Sequence, residues 1–144
     1  MNLHPKDKRA LSETRMAKAK EFLADARATF EGERYRTSVN RAYYAALNAV
    51  RAILILEGAN PETHEGAVTL LSLRFVKTRI LPVDIVKRFK ILLSRRTDVD
   101  YGDFDSIDAK DSEDSLKDAE AIIDTIDKVR KRLIKELRNY RSKK

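Results

Sequence analysis

The 144-residue sequence has no cysteine and no tryptophan, only two histidines, three prolines and four glycines. Each shortage removes a class of protein. Without cysteine there is no disulfide framework, no thiol nucleophile and no Cys-ligated zinc, and a reducing compartment suits the chain best. With His4 and His64 as the sole imidazoles, a two-His zinc motif on one helix cannot form, and any metal site would have to be built from carboxylates. Scarce Gly and Pro argue against turn-rich sandwiches, barrels and disordered linkers. The longest apolar stretch, Ala52 to Leu56, is far short of the ~20 residues a membrane span needs, and the N-terminal MNLHPKDKRA lacks the apolar segment of a signal peptide. A cytoplasmic protein without membrane contact is expected. Gly-rich phosphate loops, Ser-His-Asp arrangements and paired catalytic carboxylates are also missing, so no cofactor is expected and metal binding is not.

What is present is charge. Asp, Glu, Lys and Arg make up 37% of the chain against 42% hydrophobic residues, enough apolar material for one core and one domain over residues 1–144. The net charge is +7 with a pI of about 9.7, and it is arranged in blocks. Residues 1–97 carry +9, residues 98–120 carry −8 and residues 121–144 carry +6. Such blocks suit a docking surface or an acidic rim between basic patches, and equally a helix that matches its own dipole.

Five helical segments follow from apolar spacing. The first runs from about Asp7 to Glu31, with Ala19, Phe22, Leu23, Ala26 and Phe30 at intervals of three and four, and stops at Gly32. The second runs from about Glu33 to Glu57. Its apolar line Val39, Ala42/Tyr43, Ala46, Val50, Ile53 and Leu56 is accompanied by Leu47 and Leu54, leaving only a narrow wetted stripe, so it is the expected central helix. A short third helix is capped by Thr63 and carries Val68, Leu71 and Phe75. The fourth starts at Pro82 and stops at Gly102; the last, from about Ser112 to Tyr140, has a near-heptad seam from Ala119 to Leu137. No stretch alternates at period two. The expected fold is all-α, an up-and-down bundle of four to five helices.

Candidate chemistry falls on the second and fourth helices. Asn40, Tyr44, Asn48 and Arg51 share one stripe of the central helix, with Arg41 at its margin. A solvated face accounts for this stripe as well as a site does. Arg96 continues the line of Phe89 and Leu93, and Asp100 lies one turn later on the same face, an arrangement that also serves as a structural ion pair. His64, in the first turn of the third helix, is expected to be exposed or capping. The acidic run containing Asp98, Asp100, Asp103, Asp105 and Asp108 fails the EF-hand template, because position six is Asp103 and position twelve Ala109. Near the C-terminus, Lys128, Lys131, Lys135 and Arg138 form a basic stripe that could face phosphates.

Three stretches in order, NRAYYAALNAVRAILILEG (40–58), THEGAVTLLSLRFV (63–76) and SRRTDVDYGDF (94–104), resemble the HEPN family, the higher eukaryotes and prokaryotes nucleotide-binding domain. Within it the chain is similar to the small single-domain members encoded beside a minimal nucleotidyltransferase. The resemblance implies a bundle that forms a homodimer, with polar residues of both subunits facing one cleft, and a nucleotidyltransferase partner. Nuclease members carry an Arg, four to six arbitrary residues and a His, and cleave RNA without metal. The Arg holds the phosphate and the His moves protons. Here Arg95 and Arg96 are followed by Thr97, Asp98, Val99, Asp100 and Tyr101, with no His, and an ordinary carboxylate with pKa ~4 is a poor proton donor at neutral pH. The residues that could carry catalysis are therefore limited to Arg96, Asp100 and Tyr101, and those that could hold a nucleotide or RNA are Asn40, Arg41, Tyr44 and Arg96. The missing His favours an interaction protein, half of a toxin–antitoxin-like pair, over an RNA-cleaving enzyme or a purely structural dimer.

Overall fold

The computed structural model describes residues 3–102 and 107–142, with side chains as far as residue 138. It contains α1 (Pro5–Glu31), α2 (Tyr35–Leu54) with a 3-10 turn over Ile55–Glu57, α3 (His64–Leu71) continued by a π-helical turn over Ser72–Val76, α4 (Val83–Tyr101) and α5 (Ala109–Ser142). Among the described residues there is no strand, and no helix is long and apolar enough to cross a membrane.

Local chemistry sets the helix ends. Pro5, whose missing N–H costs nothing in a first turn, opens α1 two residues before the expected Asp7, and the His4 side chain accepts from the Lys6 N–H. The second helix begins at Tyr35 instead of Glu33, because Glu33 takes a left-handed φ of 61° that no α-helix accommodates. It also ends earlier than expected: the backbone tightens at Ile55 and stops at Gly58 with φ 78°, the conformation glycine adopts without strain. Thr63 caps α3, its Oγ1 accepting from Gly66 N at 2.9 Å. Asp108 Oδ1 accepts from Asp111 N at 2.9 Å, which starts α5 at Ala109, ahead of the expected Ser112.

Side-chain ties give the helix directions. Ser12 Oγ donates to Ala52 O at 2.7 Å and Ser38 Oγ to Ala26 O at 2.8 Å, so α1 and α2 run antiparallel. Lys20 meets Asp127 and Arg27 meets Glu120, which sets α5 antiparallel to α1. Arg88 reaches Asp118, and Arg95, further along α4, reaches both Asp118 and the earlier Ser115, which sets α4 antiparallel to α5. This is the up-and-down bundle, with α3 as a short crosspiece between α2 and α4.

The core gathers around α2. From Ser38 to Ile55 every residue is buried except Asn40, Arg41, Tyr44, Asn48 and Arg51, which are half-buried. Tyr43, Val50, Ile53, Phe75, Phe89, Ile122 and Ile126 are closed to solvent. Two charged groups, Asp127 and Arg130, are buried with them. Arg130, 2% exposed, donates to Asp127 at 2.9 Å and to Glu13 at 2.8 Å, while Asp127 also receives Lys20 and Lys131. Burial raises the Asp127 pKa, but the bonds from Lys20, Arg130 and Lys131 outweigh it and bring the carboxyl to about 2.

Candidate functional site

The half-buried stripe of α2 is where α4 and α3 approach. Arg96, on the α2-facing side of α4, sends one guanidinium N–H to Tyr44 Oη at 3.2 Å and lies 5.5 Å from the Tyr43 ring centre and 5.6 Å from that of Tyr44. Guanidinium over electron-rich rings is favourable, more so when partly desolvated, and this side chain is 17% exposed. Tyr43 itself packs edge-on to Tyr44 and tilted against Phe89, so the rings that receive Arg96 are locked by the core.

Asp100 Oδ2 lies 2.7 Å from Arg96 Nε, yet that N–H is not aimed at it and finds no hydrogen-bond acceptor, so the pair is a charge contact without a hydrogen bond. Helix physics favours the pairing only weakly. A carboxylate in the last turn of α4 faces the negative end of the dipole, that turn has no basic residue, and Arg preceding Asp is the weaker i,i+4 order. Neighbouring Arg95 turns the other way, to Asp118 at 3.0 Å and Ser115 at 3.3 Å, and serves to bind α4 to α5.

The remaining candidates scatter. Arg41 stacks over Phe22 at 5.5 Å, and Phe22 lies 6.4 Å from Tyr44, so Arg41 borders the site through a ring. Asn48 donates to Tyr44 O at 2.8 Å. Asn40 is half-buried on the same stripe with no side-chain hydrogen bond among the described residues. Tyr101 is 76% exposed, out of the enclosed cluster around Arg96. Asp103 and Asp105 lie outside the described residues; among those described, no three His, Asp or Glu side chains converge as a metal site would require. The basic positions 128, 131, 135 and 138 are exposed, and Lys131 is paired with Asp127. Two cavities lie away from this cluster, one of about 280 Å³ beside Arg34, Tyr35 and Arg36 and one of about 130 Å³ beside Lys8, Leu56 and Arg138.

His64 is not the exposed or capping residue that its first-turn position suggests. Thr63 does the capping, and His64 is half-buried with Nδ1 hydrogen-bonded to Tyr43 Oη. Burial, then the charges of Arg96 and Arg51, hold the imidazole below its ordinary pKa against the opposing pull of Glu65, so His64 is neutral at pH 7. Burial likewise pushes the Tyr43 phenol upward, keeping it protonated. Sequence reasoning placed Tyr43 purely in the core, set His64 aside as exposed or capping, and named Arg51 as part of the polar stripe without giving it a binding role. The one available signal was that Tyr43 has a polar tip, which a fully buried position obliges to find a partner.

Around the central helix of this bundle, Tyr43 and Tyr44 of α2 meet Arg96 of α4 and His64 of α3. The HEPN domain family model matches residues 12–141, and the chain belongs to that family. A UPF0332 protein of Thermotoga maritima is 30% identical over 78% of this chain and 85% of its own length. A Methanocaldococcus jannaschii protein named as a candidate toxin is 29% identical over 81% of this chain and 86% of its own. The crystal structure of TT1696 from Thermus thermophilus superposes with a TM-score of 0.72 over 82% of this chain and 97% of that one, at 18% identity, a likeness of fold.

Proposed function

We propose that this chain is the HEPN half of a toxin–antitoxin-like pair: a cytoplasmic homodimer that engages a minimal nucleotidyltransferase partner and binds a phosphate of a nucleotide or RNA at Arg96. The observation that carries the reading is the Arg96 guanidinium itself, set against the Tyr43 and Tyr44 rings with its Nε buried and without a hydrogen-bond acceptor. A fixed, partly desolvated guanidinium is suited to hold a phosphate by paired hydrogen bonds. Relatives named as candidate toxins support the toxin-like role.

Anisotropy titration of a labelled single-stranded RNA and of a labelled nucleotide tests the reading. Binding that weakens as salt rises and drops at least about tenfold in Arg96→Ala is the expected result, because phosphate contacts release counterions. Absence of binding to both ligands refutes it and leaves the structural dimer. Light scattering giving only a 16.5 kDa species at micromolar concentration refutes the homodimer, and failure to co-purify with a co-expressed neighbouring nucleotidyltransferase refutes the partnership.

RNA cleavage is the second reading, and one observation favours it. The Tyr43–His64 pair places an imidazole from another helix beside Arg96, where the chain after Arg96 offers none.

A further inference from the structure

The phosphate reading at Arg96 involves one arginine, but the structure gathers more positive charge there than that arginine explains. Elsewhere in the described chain several guanidinium groups are matched to carboxylates: Arg27 to Glu120, Arg74 to Glu57, Arg88 to Asp84 and Asp118, Arg95 to Asp118, Arg130 to Asp127 and Glu13. Arg51 and Arg15 have no carboxylate partner among the described residues, as is also true of Arg9, Arg34, Arg36, Arg41, Arg79 and Arg138, but these two are half-buried and in contact with each other. Arg51, on the same stripe two turns beyond Tyr44, makes no ion pair and no side-chain hydrogen bond among the described residues, and its Nε is buried without an acceptor. Arg15 approaches from α1, donating to Arg51 O at 3.5 Å and to Asn60 Oδ1 at 3.1 Å, neither of them charged. Burial and the Arg51 charge both disfavour its protonated form. Two half-buried guanidinium groups held together with no carboxylate bonded to either among the described residues concentrate positive charge that favours an anion.

Resting on that phosphate reading, we infer that Arg51 and Arg15 form a second phosphate subsite beside the one at Arg96, with His64 between them, so that the ligand is a molecule carrying linked phosphates. Seven residues separate Tyr44, which receives Arg96, from Arg51, about 10 Å along α2 at 1.5 Å per residue. Arginine side chains from the two ends shorten that gap, and a single phosphate group occupies only one end of it. The groups facing His64 are Tyr43 and Arg51 from α2, Arg96 from α4 and Glu65 from its own helix. Burial, the larger cause of the lowered His64 pKa, remains when an anion binds, but the anion opposes the charges of Arg96 and Arg51, so it raises the proton affinity of the imidazole and binds more tightly as pH falls. Linked phosphates occur in nucleoside triphosphates and in RNA strands, and the probes separate the two.

The test is a set of anisotropy titrations of the full chain without divalent metal, using a nucleoside monophosphate, a nucleoside triphosphate and a ten-nucleotide 2′-O-methyl RNA, at several salt concentrations and from pH 5.5 to 8. The expected result is that Arg51→Gln weakens the triphosphate or the strand about tenfold and lowers the salt dependence by about one phosphate contact, while monophosphate binding stays within about twofold. Arg51→Lys restores the salt dependence, and His64→Gln abolishes the gain at low pH. Whichever of the two multi-phosphate probes responds to Arg51→Gln identifies the source. Unchanged affinity and salt dependence in Arg51→Gln for both probes overturns the second subsite while leaving Arg96 intact as a phosphate site. Loss of binding in wild type to all three probes overturns both readings. Circular dichroism of each variant shows whether it is folded, and the charge-conserving Arg51→Lys keeps the test decisive if Arg51→Gln is not.

Discussion

Replacing Asp127 by Asn tests how the buried charges contribute to folding. Asp127 is 10% exposed at its side chain and is the shared acceptor of Lys20, Arg130 and Lys131. Its pKa of about 2, against 3.8 in an ordinary aspartate, corresponds to roughly 2–3 kcal/mol of linkage at 1.36 kcal/mol per unit. The folded-state value is depressed, so this stability is fully present above pH ~4 and is lost as pH falls through 4 toward 2. Asn resembles the protonated carboxyl in shape and charge. At pH 7, Asp127→Asn leaves Arg130 buried with only Glu13, which is 65% exposed, as a charged partner, and breaking one side of a buried pair costs ~3–5 kcal/mol. The difference between wild type and variant should be several kcal/mol at pH 7 and shrink by about 2–3 kcal/mol by pH 2. Urea denaturation followed by circular dichroism at steps across that range measures it. Parallel curves, with a constant difference at every pH, refute the assignment of the acid-sensitive stability to Asp127.

Val50→Ala removes two methyls from a fully buried position and should cost ~2 kcal/mol or more, whereas Arg41→Ala, which loses a half-exposed stacking contact on Phe22, should cost under ~1 kcal/mol; equal losses of thermal stability would show the wrong face of α2 to be the buried one. Gly66→Ala sets a new Cβ 2.9 Å from Thr63 Oγ1 and 3.3 Å from Pro61 Cβ, so it should lower stability by ~1–2 kcal/mol through the lost cap and displace His64, visible as a shifted imidazole resonance; a wild-type melting curve and spectrum would contradict this. Arg95→Ala should leave RNA binding within about twofold of wild type while Arg96→Ala weakens it, since the two side chains turn to different helices; a larger loss in Arg95→Ala than in Arg96→Ala would reverse the assignment of the phosphate ligand.

Much of this protein is written in local patterns. Gly32, Gly58, Thr63 and Pro82 punctuate the chain because backbone freedom, capping and fixed φ act within one turn and need no partner. The half-buried stripe of α2, Asn40, Arg41, Tyr44, Asn48 and Arg51, is legible from 3.6-residue periodicity, because a helix buried on nearly all sides shows its remaining opening as a run of polar positions. That Arg96 and Asp100 share a face follows from the same arithmetic. The boundary shifts at Tyr35 and Ile55 had no such signal, since Glu33 and Ile55 are residue types with no special preference for the conformations they adopt. Tertiary packing alone decided which arginine faces α2 and which faces α5, that Tyr43 meets His64 across 21 residues, that Arg15 meets Arg51 across 36, and that Lys20 and Asp127 join across 107. Those pairings depend on the rotation and height of one helix against another, which are set by how apolar faces interdigitate over the whole core. A polar residue's neighbours across the bundle are a consequence of that packing, and no spacing within its own helix encodes them.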